Sequence, residues 1–213
     1  LNIYQLFDAE QAQVMLDATD AMQWSQGRAR TKELEGTVKQ NLEILPSSSD
    51  VANKLLDVIG RQILRNPSIQ VNHVPLKIHP PKFSRYADGA HYKAHTDSPW
   101  MGETRTDLSC TVWLSDPESY EGGELLLNGK SVKGKPGQCL VYDCGVPHEV
   151  TPVTVGARVC AVTWIQSRIR EAHKRKIVSD FRKFLSKLEP DHQDWFLEGG
   201  SIHSSLIRMW MEN

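Results

Sequence analysis

Arg158-Val159-Cys160-Ala161-Val162-Thr163-Trp164-Ile165-Gln166 is the clearest of a series of short β-branched and aromatic runs. Seven companions precede it: Leu76–Ile78, Lys82–Tyr86, His91–Asp97, Leu108–Ser115, Glu124–Leu127, Gln138–Asp143 and His148–Val155. Gly122-Gly123, Asn128-Gly129 and Pro136-Gly137 supply turns between them. Eight short strands at this spacing predict a two-sheet sandwich, and a jelly roll is the commonest way to close one. Outside this stretch the hydrophobic period is helical. Asp8, with Gln11 reaching back to it, caps a helix carrying Val14, Met15, Ala18 and Met22. Ser25 to Gly36 reads as a loop. Asp50 caps a second helix with Val51, Leu55, Val58, Ile59 and Ile63 on its apolar face, ended by Asn66-Pro67. After Ser167 a Lys/Arg-rich helix runs to Leu188, where it reads as a solvated face. Pro190 interrupts it, and a short apolar helix spans Leu206 to Met211.

The expected organisation is therefore mainly β. An N-terminal helical region, 1–75, packs on the barrel, followed by a jelly-roll domain, 76–168, and a C-terminal helical extension, 169–213. The 213 residues suffice for one sizeable core, and 39% hydrophobic with 24% charged residues is ordinary globular composition. A net charge of −1 gives no electrostatic reason to expect nucleic acid or a membrane surface as partner. No apolar run approaches the roughly 18 residues of a transmembrane helix, and Leu1 to Phe7 lack the pattern of a signal peptide. None of the four cysteines forms a C-x-x-C pair. Cys110, Cys139 and Cys160 sit in apolar runs and read, with Cys144, as reduced residues of a cytoplasmic protein.

The chemistry-bearing feature is His95-Thr96-Asp97. In a strand of period two, His95 and Asp97 share a face and supply two ligands of a two-histidine, one-carboxylate triad, which leaves positions on iron open. The same pair also fits a surface histidine beside a turn aspartate. His148, after Val146-Pro147, is the candidate third ligand, or else a loop histidine bonded to backbone. Arg158, in an otherwise apolar strand, needs a partner because a buried guanidinium keeps its charge. That partner is either the distal carboxylate of a five-carbon oxo-diacid on the metal or an internal acid, Asp143 or Glu149.

The ordered set Tyr86, Asp88-Gly89, Tyr92, His95-x-Asp97, Gly122-Gly123-Glu124-Leu125, Pro147-His148-x-Val150-x-Pro152 and Arg158 resembles the prolyl/lysyl-hydroxylase branch of the iron/2-oxoglutarate oxygenases. Arg105-Thr106-Asp107-Leu108-Ser109, Leu114-Ser115-Asp116-Pro117, Val150-Thr151-Pro152-Val153-Thr154, Gly156-Ala157-Arg158-Val159 and Trp164-Ile165-Gln166-Ser167 resemble, more narrowly, the bacterial PKHD-type hydroxylases. The resemblance runs from about His79 to Phe181. It implies a double-stranded β-helix core, iron(II) on His95, Asp97 and His148, 2-oxoglutarate on Arg158, and ascorbate as reductant. It implies a hydrogen bond from Tyr86 to the oxo-acid, although Tyr86 reads equally as a core aromatic. Asp97, where related halogenases carry Ala or Gly, implies hydroxylation rather than chlorination.

Further expectations concern the surroundings. Trp100 and Met101 form a substrate lip, while Trp113 and Val150 line the co-substrate pocket or fill the core. His91 is second to the ligands, His79 a connector, and His73, His173, His192 and His203 surface groups. Trp195, Phe196, Leu206, Ile207, Trp210 and Met211 pack on the barrel or on a second copy in a homodimer. The substrate stays open among peptidyl or free amino acids and small iron-chelating molecules. A metal-free binding module and a zinc hydrolase are the competing readings.

Overall fold

The computed structural model describes residues 2–27, 37–188 and 192–212. Two antiparallel sheets carry it. The larger has eight strands, in the order Asn2–Gln5, Gln138–Asp143, Leu108–Trp113, Ala157–Ser167, Lys82–Ala87, Leu42–Ile44 and Ser25–Gln26, with Pro75–Ile78 also on Ala157–Ser167. The smaller has five: Lys130–Val132, Leu125–Leu127, His148–Val150, His91–His95 and Lys39–Gln40. The expected jelly roll with flanking helices is the architecture found.

Strand alternation sorts side chains into two cores. From Leu108–Trp113 and Ala157–Ser167, the residues Cys110, Val112, Val159, Ala161 and Ile165 point to one face of the larger sheet. There they meet helices α1 (Ala9–Asp20) and α2 (Asp50–Arg65) through Ala12, Met15, Leu56, Ile59 and Ile63. Trp113 and Leu140 point the other way, toward Leu125, Leu127, Val132 and Val150 of the smaller sheet. Leu108–Trp113 is consequently buried at every residue, as a strand covered on both faces must be.

Several boundaries differ from those the sequence suggests. Four strands within residues 2–44 join the sheets, where only helices and loops were expected; at two to four residues each, they are too short to show a period. Residues 28–36 of the expected loop and Pro190 lie outside the described residues. The Asp8–Gln11 capping box is present, but Val14 is 61% exposed, and Ala12, Met15 and Thr19 make the buried face. Ser49, not Asp50, caps α2, its hydroxyl accepting from the Ala52 N–H. Asn66 ends α2 and at once caps α3 (Pro67–His73), a helix the sequence reading missed. His148–Val155 breaks into His148–Val150 and Val153–Val155 at Thr151-Pro152, since proline cannot donate to a ladder. Helix α4 (Ala172–Leu185) is followed by α5, Gln193–Trp210, three times the expected length.

Candidate metal centre

The pairing register explains why two imidazoles meet. His148 lies directly opposite His95 across adjacent antiparallel strands, so their rings come to 4.3 Å between centroids. Asp97 arrives differently. The strand ends at His95, and the Asp97 N–H leaves the ladder to bond the Cys144 carbonyl at 3.2 Å. Even so, one ligand atom from each of His95, Asp97 and His148 lies within 4.8 Å of the others, with His148 Nε2 3.7 Å from Asp97 Oδ2.

The ring nitrogens are sorted for the task. His95 Nδ1 sits 2.8 Å from the Lys93 carbonyl and His148 Nδ1 2.9 Å from the Val146 carbonyl. A carbonyl only accepts, so each Nδ1 carries the proton and each Nε2 offers its lone pair inward. Burial first, and the neighbouring His148 second, push the His95 pKa down to about 4, which keeps the ring neutral and able to ligate. Tyr92 stacks on His95 at 3.5 Å and 18°, and Tyr142 meets His148 edge-on. This donor set suits a metal that takes imidazole and carboxylate and keeps further positions open.

The triad faces a cavity of about 710 Å3, roughly the size of a drug-like ligand site. Arg158 stands in its wall, 1% exposed, paired across the ladder with Tyr86. Its guanidinium lies over the Tyr86 ring at 5.2 Å, Nη1 donates to Cys160 Sγ at 3.2 Å, and Nε has no partner. Among the described residues no carboxylate forms an ion pair with it. Asp143, one of the two internal acids considered, is held by Arg175 instead. Gly123, at φ +66°, makes space here: a Cβ would lie 3.1 Å from Arg158 Cδ and 2.8 Å from Val153 Cγ2.

The remaining expectations divide. Met101 and Val150 line the cavity. Trp100 does not, being 55% exposed on a small hairpin, and Trp113 is fully buried between the sheets. His91 stays out of the ligand cluster, with Nδ1 on the Gly89 carbonyl. His79 lines the cavity against Trp164 rather than merely connecting strands. His73 and His203 are buried, not surface groups. The basic helix α4 is not wholly a solvated face, because Arg175 is 5% exposed.

Sequence reasoning missed the polar part of the cavity. Glu43 accepts from Lys39 at 2.5 Å and pairs with Lys82 at 2.8 Å, and Lys39 lies over the Tyr92 ring. Lys39 and Glu43 fall on strands too short to show alternation. Ser109 and Tyr142 were more accessible to reading, since alternation within Leu108–Trp113 and Gln138–Asp143 turns both toward the interior. Burial drives the Cys144 thiol, beside Ser109, up to about 12.

Residues 81–166 match the model of a family described as the 2OG-Fe(II) oxygenase superfamily. A PKHD-type hydroxylase of Stenotrophomonas maltophilia (strain R551-3) is 32% identical, the alignment covering 100% of this chain and 99% of the relative. One from Acidovorax ebreus (strain TPSY) is 33% identical, covering 99% and 98%. Among solved structures, a Pseudomonas putida prolyl-4-hydroxylase superposes with a TM-score of 0.56 at 20% identity, over 78% of this chain and 92% of that one. HygX from Streptomyces hygroscopicus, solved with nickel and 2-oxoglutarate, has the same TM-score at 13% identity, over 78% and 82%. At these identities the two structures speak for the shared fold.

Proposed function

The chain belongs to the PKHD-type hydroxylases of the 2OG-Fe(II) oxygenase superfamily, and from that premise we propose how its side chains divide the work. The reaction is hydroxylation of an aliphatic C–H, with 2-oxoglutarate and dioxygen converted to succinate and carbon dioxide. His95, Asp97 and His148 would hold the ferrous ion, and Arg158 the distal carboxylate of 2-oxoglutarate. When bound, the ion with its co-substrates supplies the oxidant that removes a substrate hydrogen and returns a hydroxyl group.

The chain's own groups orient and enclose. The Lys93 and Val146 carbonyls fix the two imidazoles. Arg158 receives the carboxylate through parallel N–H donors, and Tyr86, packed on that guanidinium, adds a hydrogen bond to the oxo-acid. Leu125 and Val150, which line the cavity from the apolar cluster behind it, keep water from that wall. The observation that carries the assignment is Arg158 itself: a cation buried among tyrosines and a thiol, lacking an acid, in the wall that holds the triad. A zinc hydrolase gives that arginine nothing to do.

The test is succinate release from 2-oxoglutarate and dioxygen without added substrate. Wild-type protein is expected to turn over with iron(II) and not with zinc. Asp97→Ala and His148→Ala are expected to lose about a thousandfold or more, the scale on which removing a group essential to the transition state acts. Turnover by either variant at wild-type rate defeats the assignment.

The family resemblance supports ascorbate as the reductant that keeps the metal ferrous, and the four free cysteines support a cytoplasmic setting. The substrate is a peptide-borne or free amino acid, or a small iron chelator, entering past Met101. Of the expected apolar group Trp195 and Met211 are exposed, as are Leu197 and Met209, and this exposed apolar surface supports packing against a second copy in a homodimer. A monomeric mass by light scattering rejects that last element alone.

A further inference from the structure

The triad's three ligands are not held alike. His95 and His148 are fixed by a ladder and by carbonyls on their Nδ1 atoms. Asp97 lies beyond the strand end, with one backbone hydrogen bond to the Cys144 carbonyl. Besides the His148 ring 3.7 Å away, its carboxylate is held by the Ser109 hydroxyl, which donates to Asp97 Oδ2. Ser109 sits on Leu108–Trp113, the strand paired on both sides at the middle of the larger sheet, and is 4% exposed. The hydroxyl is thus carried by a buried strand hydrogen-bonded along both edges.

A second contact holds the same hydroxyl. Ser109 Oγ lies 3.1 Å from Cys144 Sγ. The Ser109 hydroxyl gives its one proton to Asp97, which leaves its oxygen to accept from the Cys144 thiol or from Tyr142, also hydrogen-bonded to it. The hydroxyl is thereby held between Asp97 on one side and Cys144 on the other. Cys144 supplies both ends of the arrangement, through its thiol to Ser109 and its carbonyl to the Asp97 N–H.

We propose that Ser109 is the positioning residue for Asp97, turning the carboxylate so that one oxygen faces the two Nε2 atoms before any metal arrives. This rests on the metal reading above and adds to it a residue that the convergence of ligands does not itself name.

Mn(II) binding to the full-length, metal-stripped protein, measured calorimetrically without 2-oxoglutarate, tests it alongside thermal midpoints. Loss of an outer hydrogen-bond partner typically weakens a metal by about 10–100-fold, so Ser109→Ala is expected at least about tenfold weaker, with its midpoint near wild type. Ser109→Thr, which keeps the hydroxyl, is expected to stay within about threefold of wild type. A merely structural serine would lower the midpoint and leave the folded fraction's affinity alone. Affinity of Ser109→Ala within about twofold of wild type overturns the proposal, as does an equal loss in Ser109→Thr at unchanged midpoint. Should Ser109→Ala fail to fold, Ser109→Val, which matches threonine in shape but lacks the hydroxyl, takes its place under the same criteria. Wild-type protein that binds no Mn(II) removes the metal reading itself, an outcome distinct from normal binding by both wild type and variant.

Discussion

Among the described residues two arginines are buried almost completely, and their surroundings differ. Arg175, on α4, donates to the Ile169 and Arg170 carbonyls at 2.9 and 2.6 Å, to the Asp107 carbonyl at 3.4 Å, and to the Asp143 carboxylate. Arg158 faces Tyr86, Tyr120 and Cys160, and among the described residues no carboxylate forms an ion pair with it. Burying a guanidinium costs several kcal/mol unless its donors are matched. Arg175 finds a carboxylate and three carbonyls, with only its Nε unpartnered, and holds α4 against the ends of two strands. Arg158 has no acid paired to it among the described residues, which supports its proposed role of binding the carboxylate of a co-substrate.

The comparison can be broken most severely at Arg158. Arg158→Met is expected to raise the 2-oxoglutarate requirement by about 10²–10³-fold, since removing one partner of a buried charge pair costs roughly 2–5 kcal/mol. The same substitution removes an unmatched buried cation, so the unliganded protein is expected to melt no lower than wild type. Succinate assays and thermal scans read the two halves. A large drop in melting temperature would mean that Arg158 is structural after all.

Arg175→Met should do the reverse. Loss of its charged and carbonyl contacts is expected to cost about 3 kcal/mol, discounted because the Asp143 side chain is 36% exposed, or roughly 6–12 °C in melting temperature. The Michaelis constant for 2-oxoglutarate is expected to be unchanged below the transition. A shift in that constant comparable to Arg158→Met would erase the distinction between the two arginines.

An effect confined to acid pH, and absent at neutral pH, sits beside Arg175. Burial first, and the charge of Arg175 second, lower the His73 pKa from 6.5 to about 4, and its Nε2 lies 2.8 Å from the Tyr4 hydroxyl. The unfolded chain therefore takes up this proton at higher pH than the folded one. Stability is full above pH 6.5 and falls as pH drops toward 4, by up to about 3 kcal/mol. Denaturant titrations of wild type and His73→Gln across that range should show the slope flattening in the variant. Parallel slopes would assign the acid sensitivity elsewhere.

What could be read from the sequence follows from what leaves a period. Strands of five or more residues, such as His91–His95, announce themselves by alternation; His148 lies on a strand of only three, and it is the family resemblance that joins it to His95 as a ligand. Asp97 was read as part of the strand although the ladder stops at His95; its neighbour Cys144, far along the chain, determines where it goes. Ser25–Gln26 and Lys39–Gln40 show no alternation because two residues cannot. Arg175 looked like one more cation on a basic helix, since what buries it is Asp143, which no helical pattern reports. His73 and His203 were misassigned for the same reason: burial of a lone polar group is decided by tertiary partners.

The direct pairing of His148 with His95 has one more consequence. On the proposed metal reading, both imidazoles are set by the strand ladder and by backbone carbonyls of the chain itself, so loading the seat would demand little ordering. The ion would then be a lodger and not a rivet. Chelators would empty the pocket and silence the chemistry while leaving the sandwich standing, in contrast to small domains whose folding is the binding of their metal.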